Sequence, residues 1–173
     1  MPLATLHEFP LAALYEALND RRVANGLTWQ GVLDEINGGP KQFRGIAVST
    51  VTGLRTKRVA EGDGVFGMLV WLGRSPESFM PGDPLASAPE ATLPPVRPGH
   101  RGLRWDAPRL YAAVQSGRME GGLTWQQVAD ETGCGKNSLT GLAKATRVGF
   151  PSVMNIVRWL GRPAADFVRS SEW

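Results

Sequence analysis

Residues 123–167 read LTWQQVADETGCGKNSLTGLAKATRVGFPSVMNIVRWLGRPAADF, and their spacing decides the fold. Thr124 with Gln127 three residues on is a capping-box pattern, in which a hydroxyl and a carboxamide satisfy free backbone N–H groups at a helix start. Val128 then points to a core, and Gly133-Cys134-Gly135 stops the segment. A further helix is expected from about Lys136 to Ala145, with Leu139 and Leu142 inward. After Pro151, residues Val153, Ile156, Val157 and Leu160 are spaced 3, 4 and 7 from the first, one apolar stripe on a helix. Gly161 sits at a C-cap position, and Pro163 starts a short last helix ending near Phe167. Upstream, Asp106 is an N-cap for a helix with Pro108 in its first turn and Leu110 and Val114 on one face. With that upstream helix, residues 106–167 read as five helices.

The same pattern occurs earlier in the chain. LTWQ stands at residues 27–30 and again at 123–126, an offset of 96 that also relates Leu14-Tyr15 to Leu110-Tyr111. Downstream the offset is 88, relating Thr52-Gly53-Leu54 to Thr140-Gly141-Leu142, WLGR at 71–74 to WLGR at 159–162, and Phe79 to Phe167. The first copy therefore carries eight extra residues, within Asn37–Gly45. A Val–Thr run at Ala47–Thr52 suggests a strand, but the repeat alignment makes it a helix. Between the copies, residues 81–100 contain six prolines in twenty residues and keep no helical or strand period. They read as a semi-extended, solvated linker, which at ~3.1 Å per residue reaches roughly 60 Å. The expected organisation is a first domain over 1–80, a Pro-rich linker over 81–100 and a second domain over 101–173.

Composition excludes several function classes. The chain has 173 residues, 42% hydrophobic and 20% charged, as an ordinary folded protein does. No apolar run approaches the ~20 residues of a membrane span, and the N-terminus lacks the pattern of a secretory signal. The single cysteine, Cys134, fits a reducing cytoplasm. With only His7 and His100 beside it, no ordinary structural zinc site can be assembled, and neither metal nor cofactor is expected. No Ser–His–acid set, GxxxxGK[ST] or HExxH is present, so no enzymatic role is expected. Asp34-Glu35 and Asp130-Glu131 recur, but adjacent helical residues point apart and read as solvent-facing charge.

The stretch 123–167 resembles the lambda-repressor-like, or XRE/Cro, helix-turn-helix family. The resemblance rests on small Ala129 on the first motif helix, Gly133 in the turn, and Leu139 and Leu142 on the second helix. Two helices crossing steeply need a small side chain where they touch, and the tight turn needs a residue that tolerates positive φ. The fold class implied is all-α: two tandem five-helix domains of this type joined by the Pro-rich linker. The resemblance further implies that the second motif helix enters a DNA major groove. In the second copy it places Gly135, Lys136, Asn137, Thr140 and Gly141 before the bases, where Asn suits adenine and Lys suits guanine. Thr124 and Gln126 would touch phosphates at a helix N-terminus, and Lys144 and Arg147 would lie along the backbone. In the first copy Thr28 and Gln30 take the helix-start positions. A second motif helix over about Val48–Lys57 presents Ser49, Thr52, Gly53, Arg55, Lys57 and Arg58 outward. Leu33 replaces the small alanine there. The stretched turn, with Lys41 and Arg44, is either a basic finger on DNA or a spacer that lifts the helix out of reach.

Charge distribution agrees with this better than net charge does. The chain is only +3, but residues 101–173 hold 10 basic and 6 acidic side chains against 8 and 8 in residues 1–80. From Lys41 to Ala60, and again from Thr132 to Ala165, there are five basic residues and no acid. A single-sign stripe is what phosphate contact requires, although a solvated face can also lack acids. Gly53 and Gly141, in mid-helix, fit close approach to DNA or close helix packing. Trp29 and Trp125 fit core caps or sugar-phosphate contacts, while Trp71 and Trp159 fit the core. Cys134 fits a small turn residue or a redox sensor. Arg101, Arg104 and Arg109 are a groove-binding arm or ordinary linker-end charge. The function expected is that of a sequence-specific regulator of transcription in a prokaryotic cytoplasm, associated with the nucleoid. Its partner would be double-stranded DNA, and it would use its two copies as an internal pseudo-dimer on an asymmetric site, ~34 Å between halves, or pair further as a homodimer. The alternatives are a protein-interaction adapter that keeps the fold without DNA contact, and a phage or plasmid repressor or antitoxin-like autoregulator.

Overall fold

A computed structural model describes residues 8–38 and 45–172. The first copy contains α1 (Leu11–Ala24), α2 (Trp29–Ile36), α3 (Val48–Thr52), strand β1 (Ala60–Glu61) and α4 (Gly62–Leu72). The second contains β2 (Gly102–Trp105), α5 (Ala107–Glu120), α6 (Trp125–Thr132), α7 (Lys136–Gly141), β3 (Gly149–Phe150), α8 (Ser152–Leu160) and β4 (Val168–Ser171). Short 3-10 turns follow α3 and α7 at Gly53–Arg55 and Leu142–Lys144, and others occupy Pro76–Phe79 and Ala164–Phe167. The offsets of the sequence repeat relate α1–α4 to α5–α8 in order, whereas β2 and β4 have no strand counterpart among the described residues of the first copy.

Local chemistry explains the matched elements. Thr28 Oγ1 accepts from the Gly31 N–H, and Thr124 Oγ1 accepts from the Gln127 N–H while Gln127 Oε1 accepts from the Thr124 N–H, completing the capping box. Asp106 caps α5 through the Arg109 N–H. Gly73 and Gly161 end α4 and α8 at φ 65° and 64°, the left-handed conformation that glycine adopts without a Cβ clash. Arg22 and Arg118 play one role twice, each donating to a backbone carbonyl (Leu27, Leu123) and lying over a tryptophan (Trp29, Trp125) that also packs on a tyrosine (Tyr15, Tyr111). These two tryptophans are thus committed to the fold.

The all-α expectation is overturned. Two antiparallel two-stranded sheets, β1–β3 and β2–β4, accompany the eight helices of the described residues. The physical cause of the first is burial between the copies. Phe150 is fully buried and Ala60 nearly so, and backbone groups taken out of water there must pair. Ala60 partners Phe150 and Glu61 partners Gly149, while the Gly62 N–H donates to the Val148 carbonyl at 2.9 Å. Under the offset of 88, Glu61 and Gly149 are equivalent residues. Because they are also each other's partners, a local two-fold axis passes between them. The second sheet follows from alternation in β2, where Leu103 and Trp105 are buried and Gly102 and Arg104 are half-buried.

The copies share one core. Phe9 and Trp105, equivalent at the offset of 96, each reach across the axis: Phe9 packs on Phe150 at 4.9 Å, and Trp105 packs on Phe66 at 4.8 Å. A Cβ on Gly62 would lie 2.5 Å from the Trp105 ring, so glycine is needed where that ring crosses α4. Arg104 donates to both carboxylate oxygens of Asp63, the shortest contact 2.6 Å, and the Ala164 N–H donates to Glu77 Oε1. The expected solvated linker is instead docked. Ala91 is buried, Leu93 and Val96 pack against the core, Asp83 faces Arg158 at 3.7 Å, and Ser170 Oγ accepts from the Arg97 N–H and lies 3.0 Å from His100 Nδ1. Proline favours an extended path, but enough apolar side chains punctuate this segment to seat it. Among the described residues no helix is long and apolar enough to cross a membrane.

Candidate nucleic-acid interface

In the second copy, α6 and α7 form the helix pair that the resemblance singles out. Gly133 turns the chain between them at φ 69°, and Ala129 is buried where the helices meet. Leu139 and Leu142 are buried behind α7 and its 3-10 extension, so the opposite face is turned outward. Gly135, Lys136, Asn137, Thr140, Gly141, Lys144 and Arg147 are all exposed, as are Thr124 and Gln126 at the start of α6. Their side chains differ in availability. Thr140 Oγ1 donates back to the Lys136 carbonyl at 3.2 Å, Thr124 Oγ1 serves the cap, and Gln126 Nε2 donates to Asp130 at 2.9 Å. A Cβ built on Gly141 meets nothing within 4 Å, so packing does not explain this glycine.

The first copy keeps the arrangement through a different closure. Asn37 Nδ2 donates to the Ile46 carbonyl at 3.2 Å, and the Ile46 N–H donates to Asn37 Oδ1 at 3.1 Å. This two-bond clamp ties the end of α2 to the residues just ahead of α3 across the insertion. Lys41 and Arg44 lie outside the described residues, as does His7. Thr28, Gln30, Ser49, Arg55, Lys57 and Arg58 are exposed and Thr52 is half-buried, its Oγ1 donating to the Val48 carbonyl. Arg55 lies 5.4 Å from the Tyr15 ring centroid, and Lys57 folds its methylenes over Gly53, where Cε would be 2.8 Å from a Cβ. Gly53 thus makes room for a lysine, unlike Gly141. α3 ends at Thr52, shorter than the expected helix to Lys57, with Gly53–Arg55 tightening into a 3-10 turn.

Several features escaped the sequence. Glu35 and Glu131 are not merely solvent-facing: each accepts from an indole N–H, Trp71 at 2.7 Å and Trp159 at 2.6 Å. The matched offsets of both pairs were the available signal. Arg104 lies in β2 against Asp63, so it is no arm. Glu61 reaches Arg147 Nε at 2.9 Å across the axis, a pairing with no sequence signature. Cys134 is buried, which pushes its thiol above the usual range and keeps it protonated, so the sensor alternative loses its thiolate. Comparison with family models, with curated proteins and with solved structures finds no match to the chain.

Proposed function

We propose that this protein is a sequence-specific double-stranded-DNA-binding regulator of transcription, in which one chain supplies both halves of a pseudo-dimer. The observation that carries this reading is the outward face of α7: every residue from Gly135 to Arg147 that the resemblance assigns to DNA is exposed, while Leu139 and Leu142 behind it are buried. The stretch from Thr132 to Ala165 is free of acids and supplies exposed Lys136, Lys144 and Arg147 for phosphate contact. The local two-fold supports the pseudo-dimer, because it relates α2–α3 to α6–α7 through paired backbone instead of a loose tether.

Lys136 and Asn137 open α7 and would meet base edges, Lys to guanine O6/N7 and Asn bidentate to adenine. Thr124, Gln126, Lys144 and Arg147 would fix the register through phosphates. In the first copy, Ser49 and Thr52 take the positions of Asn137 and Thr140, with Arg55, Lys57 and Arg58 on the backbone. Neither Ser49 nor Thr52 offers a two-point contact, so the first half positions more than it specifies, and the bound site is asymmetric.

The test is selection of bound sequences from a random duplex pool by the full chain, followed by affinity against salt. The expected result is a defined asymmetric site and an affinity falling steeply with salt, with log–log slope ≈ −0.9 per phosphate contacted. Absence of duplex binding at low salt would reject the proposal and leave the adapter alternative.

A further inference from the structure

We propose that Glu61 limits DNA affinity by competing with phosphate for Arg147, an inference that rests on the DNA-binding reading above. Glu61 lies at the local two-fold in β1, and its Oε1 faces Arg147 Nε of the second copy at 2.9 Å. Both side chains stand in solvent, 49% and 73% exposed. Glu61 directly follows the acid-free stretch Lys41–Ala60, and Arg147 lies within the other such stretch. One carboxylate is thus set directly against a cation of that stretch.

The local symmetry shows that docking does not require this pair. Arg147 corresponds to Val59, and Glu61 corresponds to Gly149. The mate of the ion pair is therefore an apolar contact, with Val59 Cγ1 3.4 Å from where a Cβ on Gly149 would stand. Backbone pairing and buried Phe150 hold both sides of the axis alike. An exposed ion pair adds little to folding, so its main consequence falls on what Arg147 can do. Glu61, Arg147 and Asp63 line one cleft between the copies, and Asp63 is occupied by Arg104 through both oxygens. That leaves Glu61 as the carboxylate that Arg147 must leave to engage a phosphate, and its charge would then remain beside the polyanion.

The experiment measures affinity of the full chain for a mixed-sequence duplex, against salt, for wild type, Glu61→Gln, Arg147→Gln and the double variant. Glu61→Gln is expected to bind roughly three- to tenfold tighter at low salt, with the gain shrinking as salt rises. In the Arg147→Gln background the same change should give less than half that gain. Unchanged Tm checks that the fold is intact. Wild-type binding with no response to Glu61→Gln, or an equal gain without Arg147, would overturn this inference alone. A wild-type chain that binds no duplex would overturn the DNA-binding reading and this inference with it.

Discussion

Gly141 gives the sharpest single-residue test of the proposed DNA face. Its φ of −75° suits any residue, and the space above it is open. Gly141→Ala should therefore stabilise the fold by about 0.5–1 kcal/mol, because alanine loses less backbone entropy in a helical conformation. If α7 approaches DNA closely, the same methyl group should weaken duplex binding. A higher Tm with lower affinity is the expected pair of outcomes; a higher Tm with unchanged affinity would place Gly141 away from the groove. Asn137→Ala should cost about 1–3 kcal/mol of binding and relax preference at one base, whereas Lys144→Ala should weaken all sequences alike, as salt-series measurements on selected and scrambled duplexes would show. Glu77 offers a pH test independent of DNA. It is buried, and burial raises its carboxyl above the ordinary range, opposed by the Ala164 and Glu77 N–H groups and reinforced by Asp83 and Asp166. A carboxyl raised in the folded chain binds protons more tightly there than when unfolded. Its contribution is full below the ordinary glutamate value and is lost as pH rises through the raised one. Denaturant titrations should show wild type losing stability across that window and Glu77→Gln losing less.

The helix pairs show where sequence reading succeeded and where it stopped. Elements governed by local chemistry were legible: Thr124 with Gln127, Asp106 with Pro108, and Gly133 and Gly161 each act where their spacing places them. The repeat itself was legible because equivalent residues keep equivalent partners, as Arg22 and Arg118 do. Elements governed by contact between copies were not. Ala60–Glu61 and Gly149–Phe150 are too short to show an alternation, and they become strands only because each finds the other. Leu103 and Trp105 did alternate, but four residues beside a Pro-rich segment gave a weak signal. Of the site, the outward residues of α7 were legible from the buried leucines behind them. The Glu61–Arg147 pair was not, since 86 positions separate its members. The first-copy turn illustrates a different limit, because insertion length says nothing about closure. Asn37 supplies the closure, and Asn37→Ala removes both bonds to Ile46. That variant should lose about 1–3 kcal/mol in denaturant unfolding, with faster amide exchange concentrated in α3 and little change in α7.

Joining of the copies changes what an experiment on halves can mean. Two domains on a loose tether would unfold separately and could be cut apart. Here Phe9, Phe66, Trp105 and Phe150 form one aromatic cluster drawn from both copies, with centroid separations of 4.8 to 5.8 Å. Severing the chain near residue 90 would expose those rings on both pieces and break the β1–β3 backbone pairing. The intact chain should therefore unfold in one cooperative transition, with fluorescence and circular dichroism coincident in denaturant. Phe150→Ala tests this most directly. Deleting a fully buried phenylalanine should cost about 3–5 kcal/mol, and the loss should lower amide protection in α1 and α4 as well as in α5 and α8. Loss of protection confined to the second copy would mean that the halves are energetically separate. The same rigidity bears on DNA. If both helix pairs move as one body, inserting bases between the half-sites should abolish the contribution of one half. A flexible tether of roughly 60 Å reach would absorb such insertions. A spacer series on the selected site distinguishes the two, and steep dependence on spacer length is expected because the two-fold contact, not the Pro-rich segment, sets the distance between α3 and α7.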